Sequence, residues 1–243
     1  MMAMQVPTRE KREVYYPESD GKPLAETDIH RDQIIDLVVT LGHFFRDQSE
    51  VYVSGNICLY YEEDNPSKYV APDVLVVKGV AKGRRHTYKV WEEGKPPDVV
   101  IEVTSKQTED EDVFFKRNLY EQVLKVPEYF TFDPTGDYLD PPLQGYRWAK
   151  GRYVRLKETG GRLRSNELGL ALGVEGGWLY LYDWLTGEKL LTPAEAYAAY
   201  QQAEAELERE VAARQQAEVA LQQAQAEIER LRAELEALRG KRA

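Results

Sequence analysis

Cysteine is almost absent. Cys58 is the single one in 243 residues, so the chain builds neither an internal disulfide nor a cysteine metal cluster, which suits a reducing interior. Histidine is nearly as scarce: His30, His43 and His86 are scattered and form no His-rich metal motif. No apolar run approaches the ~18 to 20 residues of a spanning helix, and Met1 to Arg12 is polar without the apolar stretch of a leader. A cytoplasmic protein with no membrane insertion is expected. A nucleophile elbow, a phosphate loop and a dinucleotide fingerprint are all missing, which sets those enzyme classes aside. Positive charge is short too: 32 Lys and Arg against 42 Asp and Glu leave −10, which repels a phosphate backbone at long range and counts against a simple nucleic-acid coat. A metal-dependent enzyme acting on nucleic acid stays open, because divalent ions supply positive charge where carboxylates gather.

What is present is 42% hydrophobic residues and 16 Tyr, enough for one ordinary core beside a separate polar segment. That segment is the end of the chain. From Ala194 onward there is no Pro, a single Gly at 240, and mostly Ala, Glu, Gln, Arg and Leu, all strong helix formers apart from the glycine. Thr192 is placed to cap, Pro193 fits the first helical position, and Glu195 completes a capping box. Leu221, Ala224, Ile228, Leu231, Leu235 and Leu238 then alternate spacings of three and four, the seam of a left-handed coiled coil, with Arg214 interrupting it upstream. A solvated helix is one reading. The preferred one is a homo-oligomer or a helical partner bound through 207–239, because six apolar positions in register are hard to leave in water.

The remainder divides at its front. Residues 1–25, polar and carrying Pro7, Pro17 and Pro23, read as a loose arm, and 26–191 as the folded domain, with 192–243 as the helical tail. Ile34, Leu37, Val38, Leu41, Phe44 and Phe45 recur at helical spacing over Asp28 to Gln48, with Thr27 or Asp28 as cap. Val51 to Tyr61, Asp73 to Lys78, Val99 to Val103 and Glu128 to Asp133 read as strands, and Thr108 to Lys125 as a helix opened by a Thr108/Glu111 capping box. Gly145 to Ala149 with Tyr153 to Lys157, and Leu170 to Val174 with Trp178 to Tyr182, read as hairpins. The expected class is α/β: a mixed sheet flanked by helices, extended by antiparallel hairpins and followed by a long C-terminal coiled-coil helix.

Chemistry is sought where charge interrupts apolar strands. Glu102 closes Val99-Val100-Ile101, and Asp73 follows Pro72. A carboxylate in such surroundings is paired, exposed or a metal ligand, since an unpaired buried charge costs several kcal/mol, roughly. Glu102 either ends its strand in water or faces a site. On the following helix Asp112, Lys116 and Tyr120 stand at i, i+4 and i+8 and share a face, with Val113, Phe115, Leu119 and Val123 supplying apolar surface nearby. Asp112 and Lys116 form either an exposed ion pair, worth about 0.3 to 0.5 kcal/mol, or part of a face that brings the Lys116 amine back to Asp73 and Glu102. Two acids and an amine in one place make a hydrolytic metal site, the acids holding Mg²⁺ and the amine orienting or deprotonating water.

Three stretches taken together resemble a known family: Val70-Ala71-Pro72-Asp73-Val74-Leu75-Val76-Val77, then Pro97-Asp98-Val99-Val100-Ile101-Glu102-Val103-Thr104-Ser105, then Asp112, Lys116, Tyr120 and Glu128-Tyr129-Phe130-Thr131-Phe132-Asp133-Pro134. They are similar to the Uma-type restriction endonuclease family within the PD-(D/E)XK nuclease superfamily, over roughly Glu26 to Leu191. The resemblance implies a restriction-endonuclease-like fold and Mg²⁺-dependent hydrolysis of DNA phosphodiester bonds, with Mn²⁺ as an alternative ion. In-line attack would leave a 5′-phosphate. It implies Asp73 and Glu102 as metal ligands, the Val103 backbone carbonyl as a further one, and Ser105, Asp112 and Tyr120 as support. The superfamily lysine belongs two residues after the acid, where this chain has Thr104, so Lys116 takes its role. Glu26 or His30 would approach from the first helix, though the preferred reading of His30 is a surface or capping residue. A non-catalytic module of the same fold, assembling with a partner through the tail, is the rival reading. The basic run Lys82-Gly83-Arg84-Arg85-His86 is either a phosphate contact or a solvated loop. Tyr146, Trp148 and Tyr153 are expected to pair across strands.

Overall fold

The computed structural model describes residues 14–19, 21, 27–104, 111–137 and 139–240, with the side chains of 111–113, 236 and 238–240 outside that set. The chain forms two compact units, Met1–Thr192 and Pro193–Ala243. In the first, helix α1 (Asp28–Phe44) precedes strands β1 (Val51–Ser54), β2 (Leu59–Tyr60), β3 (Tyr69–Val70), β4 (Val74–Lys78) and β5 (Tyr88–Lys89). A single turn, α2 (Val90–Glu93), leads to β6 (Val99–Val103). After it come β7 (Glu128–Phe132), β8 (Leu143–Ala149), β9 (Arg152–Arg155), β10 (Arg162–Ser165), β11 (Leu170–Glu175) and β12 (Trp178–Asp183).

The main sheet runs β1-β4-β6-β7-β8-β9, with β6 and β7 parallel and every other neighbour antiparallel. Strict alternation along its strands sends two sets of side chains to two cores. Val74, Val76, Val99, Ile101, Phe130 and Phe132 meet Ile34, Leu37 and Leu41 of α1 and the leucines of β10 to β12 on one face. Leu75, Val77, Val100, Tyr129, Tyr146 and Tyr153 meet Leu119, Tyr120 and Leu124 on the other. A central strand covered on both faces reads as a continuous apolar run, which is what Val99-Val100-Ile101 is. Gln33 fastens α1 to β12 by accepting from Leu179 N–H at 2.8 Å and donating to Leu179 C=O at 3.0 Å.

Several expectations are redrawn. The first helix ends at Phe44 and its cap is Thr27, whose hydroxyl accepts from His30 N–H at 3.1 Å. The strand read over Val51 to Tyr61 breaks after Ser54, where Asn56 takes a left-handed φ of 50° and Gly55, whose Cβ would lie 2.3 Å from the Asp73 carbonyl oxygen, lets the two backbones approach. The hairpin β8/β9 extends the main sheet, whereas β10 to β12 form a sheet of their own. Of the helix expected over Thr108 to Lys125, residues 105–110 lie outside the described set. The rest is wound more widely, with i→i+5 turns over Glu111–Lys116 and Leu119–Leu124 and a left-handed Lys125 at its end. Leu119 is buried there, but Phe115 and Val123 are 58% and 56% exposed, so they do not supply the apolar lining expected of them. Residues 14–19, within the stretch read as a loose arm, lie against the small β3-β2-β5 sheet. Tyr16 packs on Tyr60 at 4.9 Å and Trp91 at 5.4 Å, and Tyr60 Oη donates to Pro17 C=O at 2.6 Å.

The second unit is the helix α3 (Pro193–Gly240), 48 residues and so about 72 Å long. Leu207, Leu221, Ile228, Leu231 and Leu235 lie along it roughly half exposed. None of the described helices is long and apolar enough to cross a membrane.

Candidate active site

The site forms at the end of the main sheet where β6 stops and β4 begins. Antiparallel pairing of β4 with β6 sets Val74 opposite Ile101, so the residue before β4 and the residue after Ile101 come to the same end. Asp73 and Glu102 are those residues, 6% and 0% exposed. Asp73 N–H points to Glu102 Oε2 at 3.4 Å. The alternative that Glu102 ends its strand in water is excluded by its burial.

Both carboxylates are held by named donors. Glu102 Oε2 accepts from Lys116 Nζ at 2.9 Å, and Oε1 accepts from Tyr120 Oη at 2.6 Å. Lys116 and Tyr120 therefore reach one carboxylate from one face of the widely wound segment. Asp73 Oδ2 accepts from Val103 N–H at 2.8 Å and lies 3.4 Å from His30 Nε2. Burial by itself would raise the Asp73 pKa. The His30 hydrogen bond, the Lys116 charge and the Val103 N–H together outweigh it and hold the carboxyl below its ordinary value. The backbone of Asp73 is gripped as well: Asn56 N–H donates to Pro72 C=O at 2.8 Å, in the bend that Gly55 permits.

The expected site residues thus fall into three groups. Asp73, Glu102, Lys116, Tyr120 and His30 come together, His30 as a 7%-exposed residue and not a surface one. Val103 is present through its N–H on Asp73. Glu26 and Ser105 lie outside the described residues, as does the side chain of Asp112. Thr104, where the sequence resemblance leads a lysine to be sought, is 1% exposed and donates its hydroxyl to Phe132 C=O at 3.2 Å, a structural bond between strands.

One residue at this site escaped sequence reasoning. Thr131 pairs in register with Glu102, shares its face, and is 3% exposed with no hydrogen-bond partner for its Oγ1 among the described residues. In the text it is one more strand threonine, and only the register reveals its neighbour. The basic run fares differently. Lys82 Nζ donates to Phe45 and Arg46 carbonyls at 2.6 and 2.8 Å, and Arg85 pairs with Glu93 at 2.6 Å and stacks 4.1 Å over Tyr52. Two of its cations are thus spent on the fold. Tyr146 and Tyr153 pair across strands as expected, with ring centroids 6.0 Å from Tyr129.

The donors suit a hard divalent cation. Two buried carboxylates offer oxygen ligands, and the Oγ1 of Thr131 has hydrogen-bonding capacity left beside them. No cluster of three Asp, Glu, His or Cys side chains able to hold a metal occurs among the described residues. An ion bound here would keep several water ligands, as Mg²⁺ commonly does.

No curated protein matches the chain significantly. Among solved structures, one titled "Crystal structure of a putative nuclease belonging to DUF820 from Anabaena variabilis ATCC 29413" is similar, with a TM-score of 0.44 and 11% identity over 58% of this chain and 74% of that one. A family model described as "Putative restriction endonuclease" matches residues 3–183, well over half of the chain. On that match, and with two buried acids, an amine and a tyrosine gathered at one end of its mixed sheet, the chain belongs to the Uma2 restriction endonuclease family.

Proposed function

We propose that this protein is a divalent-metal-dependent endonuclease that hydrolyses DNA phosphodiester bonds at the pocket of Asp73, Glu102 and Lys116. The observation that carries the reading is a primary amine 2.9 Å from a fully buried glutamate, beside a second buried acid. Asp73, Glu102 and the Val103 carbonyl would hold Mg²⁺ or Mn²⁺, which when bound lends positive charge to the attacked phosphate and acidifies a coordinated water. Lys116 Nζ is the group that orients the attacking water or offsets charge developing on the phosphate oxygens. Tyr120 Oη fixes the Glu102 rotamer, while His30 and the Val103 N–H fix Asp73. Ser105, Asp112 and Glu26 remain candidates for support around this core. The enzyme would work in the cytoplasm, on duplex DNA, with in-line geometry.

Plasmid DNA incubated with purified protein and Mg²⁺ or Mn²⁺ tests the reading. Nicking or linearisation that vanishes in Asp73→Ala and Lys116→Ala is expected. Cleavage untouched by both substitutions is contamination. No cleavage, together with no metal binding by calorimetry, supports a non-catalytic module that assembles through its tail.

The half-exposed Leu207, Leu221, Ile228, Leu231 and Leu235 of α3 support a coiled coil between copies of this chain through 207–239. Deleting residues from Ala203 onward should lower the oligomeric state while the first unit keeps its melting transition. Light scattering that gives an unchanged number of chains per particle would remove the tail from the assembly.

A further inference from the structure

The charge of the chain is unevenly spread. Against an overall −10, the stretch from Arg147 to Arg164 holds seven Lys or Arg and one acid, Glu158. Some of these cations serve the fold. Arg147 pairs with Glu128 at 2.8 Å, Arg162 lies 3.4 Å over the Tyr182 ring, and Arg164 lies 4.3 Å over Trp184. Lys150, Arg152, Arg155 and Lys157 are exposed.

Strand register sorts these four. Arg155 pairs with Tyr146, which faces the same core as Tyr129, Tyr120 and Val100, the face on which Glu102 lies. Leu156 N–H continues the ladder to Gly145 C=O at 2.7 Å, and its side chain packs into the opposite core, so alternation returns Lys157 to the side of Arg155. Across the register Arg155 is level with Tyr146, Tyr129 and Val100, and Lys157, two residues further along, comes level with Glu102, three strands away and about 14 Å across at ~4.8 Å per strand. Arg117 fills the interval. It follows Lys116 in the chain, and its guanidinium lies 4.1 Å over the Tyr146 ring, beside the register position of Arg155. Glu121, an anion on the same segment as Arg117, has its carboxylate engaged by Tyr153 N–H at 2.7 Å. Arg152 and Lys150 belong to the other end of β9, and Arg152 points to the opposite face.

We propose that Arg117, Arg155 and Lys157 form a phosphate-binding row that leads a DNA backbone from the edge of the main sheet to the Asp73, Glu102 and Lys116 pocket. The proposal rests on the nuclease reading for the pocket. It also resolves the charge problem, since a chain that repels DNA as a whole needs a local cationic path to admit it. Phosphate contacts of this kind set affinity and register and carry no sequence preference.

The test is binding of a fluorescein-labelled DNA duplex to the full-length protein, read by anisotropy over a salt series, in EDTA and again in Ca²⁺. Arg155→Gln with Lys157→Gln should weaken binding about tenfold and flatten the slope of log affinity against log salt by about 2, near 0.9 per lost contact. Lys150→Gln with Arg152→Gln removes the same charge at the other end and should change affinity less than about twofold. Arg117→Gln should weaken binding where Arg117→Lys preserves it. Equal losses in the two double variants would overturn the row, because the effect would then be the field of the whole molecule. So would a wild-type protein that binds no duplex in either buffer, or one that prefers duplex RNA of the same sequence. Failure of the nuclease reading looks different: the wild type binds through the row, yet plasmid stays intact in Mg²⁺ and Mn²⁺.

Discussion

Strand β6 is flanked by buried acids at both ends, and both ends are announced by the same two letters. Pro97-Asp98 precedes it and Pro72-Asp73 lies beside its exit. At the entry, Asp98 accepts from Lys78 N–H at 2.6 Å and from Lys95 Nζ at 2.8 and 2.9 Å. Its neighbour Glu128 accepts from Arg147, from the Ser165 hydroxyl, and from the N–H groups of Asn166 and Glu167 at 3.0 and 3.2 Å. At the exit, Glu102 is met by the tips of Lys116 and Tyr120, and Asp73 by one N–H and a histidine. Both ends combine the two kinds of donor: Lys95, Arg147 and Ser165 side chains join the N–H groups at the entry, and the N–H groups of Val103 and Asp73 join the side chains at the exit. What differs is what the donors tie down. Successive N–H groups of the loop after β10 close on Glu128 and fasten that loop to the sheet, whereas Glu102 is met by the ends of Lys116 and Tyr120, which can swing aside for a cation or a phosphate. Burial of a carboxylate therefore does not mark a site; what its donors fasten does.

The largest effect expected from this contrast is on cleavage. Asp73→Ala and Glu102→Ala should each lower the plasmid-cleavage rate by roughly 10³-fold or more, the order expected when charge stabilisation at the reacting phosphate is removed. Asp98→Asn and Glu128→Gln should reduce only the amount of folded protein, leaving the rate per folded molecule within about threefold. A folded Glu128→Gln protein without activity, or an active Asp73→Ala protein, would erase the distinction between the two ends.

Stability, measured with no metal added, should respond at both ends. Glu128→Ala leaves Arg147, Ser165 and two N–H groups facing a void, and removal of one member of a buried pair costs about 3–5 kcal/mol. Urea unfolding measures it. Lys116→Ala strips Glu102 of its ammonium and should cost a comparable amount, with part returned by Mg²⁺. A further sharpening comes from the ion itself. Mg²⁺ at 100 times its dissociation constant should raise stability by about 2.7 kcal/mol in the wild type and in Glu128→Gln, and by nothing in Asp73→Ala. A melting curve of Asp73→Ala that still moves with Mg²⁺ would locate the ion elsewhere.

The same contrast explains what was legible in the letters. β4 and β6 stand out because strands buried on both faces are written as near-continuous Val, Leu and Ile, and an acid inside or beside such a run is conspicuous. That made Asp73 and Glu102 visible, and helical spacing pointed Lys116 and Tyr120 the same way. The wide winding of the segment that carries them has no signature, since its apolar positions also satisfy a 3.6-residue period. Two-residue strands such as β3 and β5 are too short to alternate. Thr131 and His30 matter only through register and approach, which are properties of the folded chain. The basic run stayed open to two readings for a related reason: Lys82 and Arg85 look free in the text, and their partners at Phe45, Arg46 and Glu93 are supplied by folding. The membership of Arg155 in a row with Arg117 was equally hidden, because it depends on which face β9 turns to the site.

The smallest predicted effect concerns acid. The Asp73 carboxyl, despite its burial, is held below its ordinary pKa by His30, Lys116 and the Val103 N–H, so it binds a proton less readily folded than unfolded. The unfolded chain then takes up protons first as pH falls, and the stabilisation from ionised Asp73 is complete above the usual carboxylate range, near pH 4, and is lost below it. The difference in unfolding free energy between wild type and Asp73→Asn, measured without metal, should accordingly shrink as the pH is lowered through that range. A difference that widens on acidification would mean that desolvation wins over the three donors. Asp73 would then sit in its pocket as a neutral acid, in no state to attract a cation, and the exit of β6 would be as purely structural as its entry.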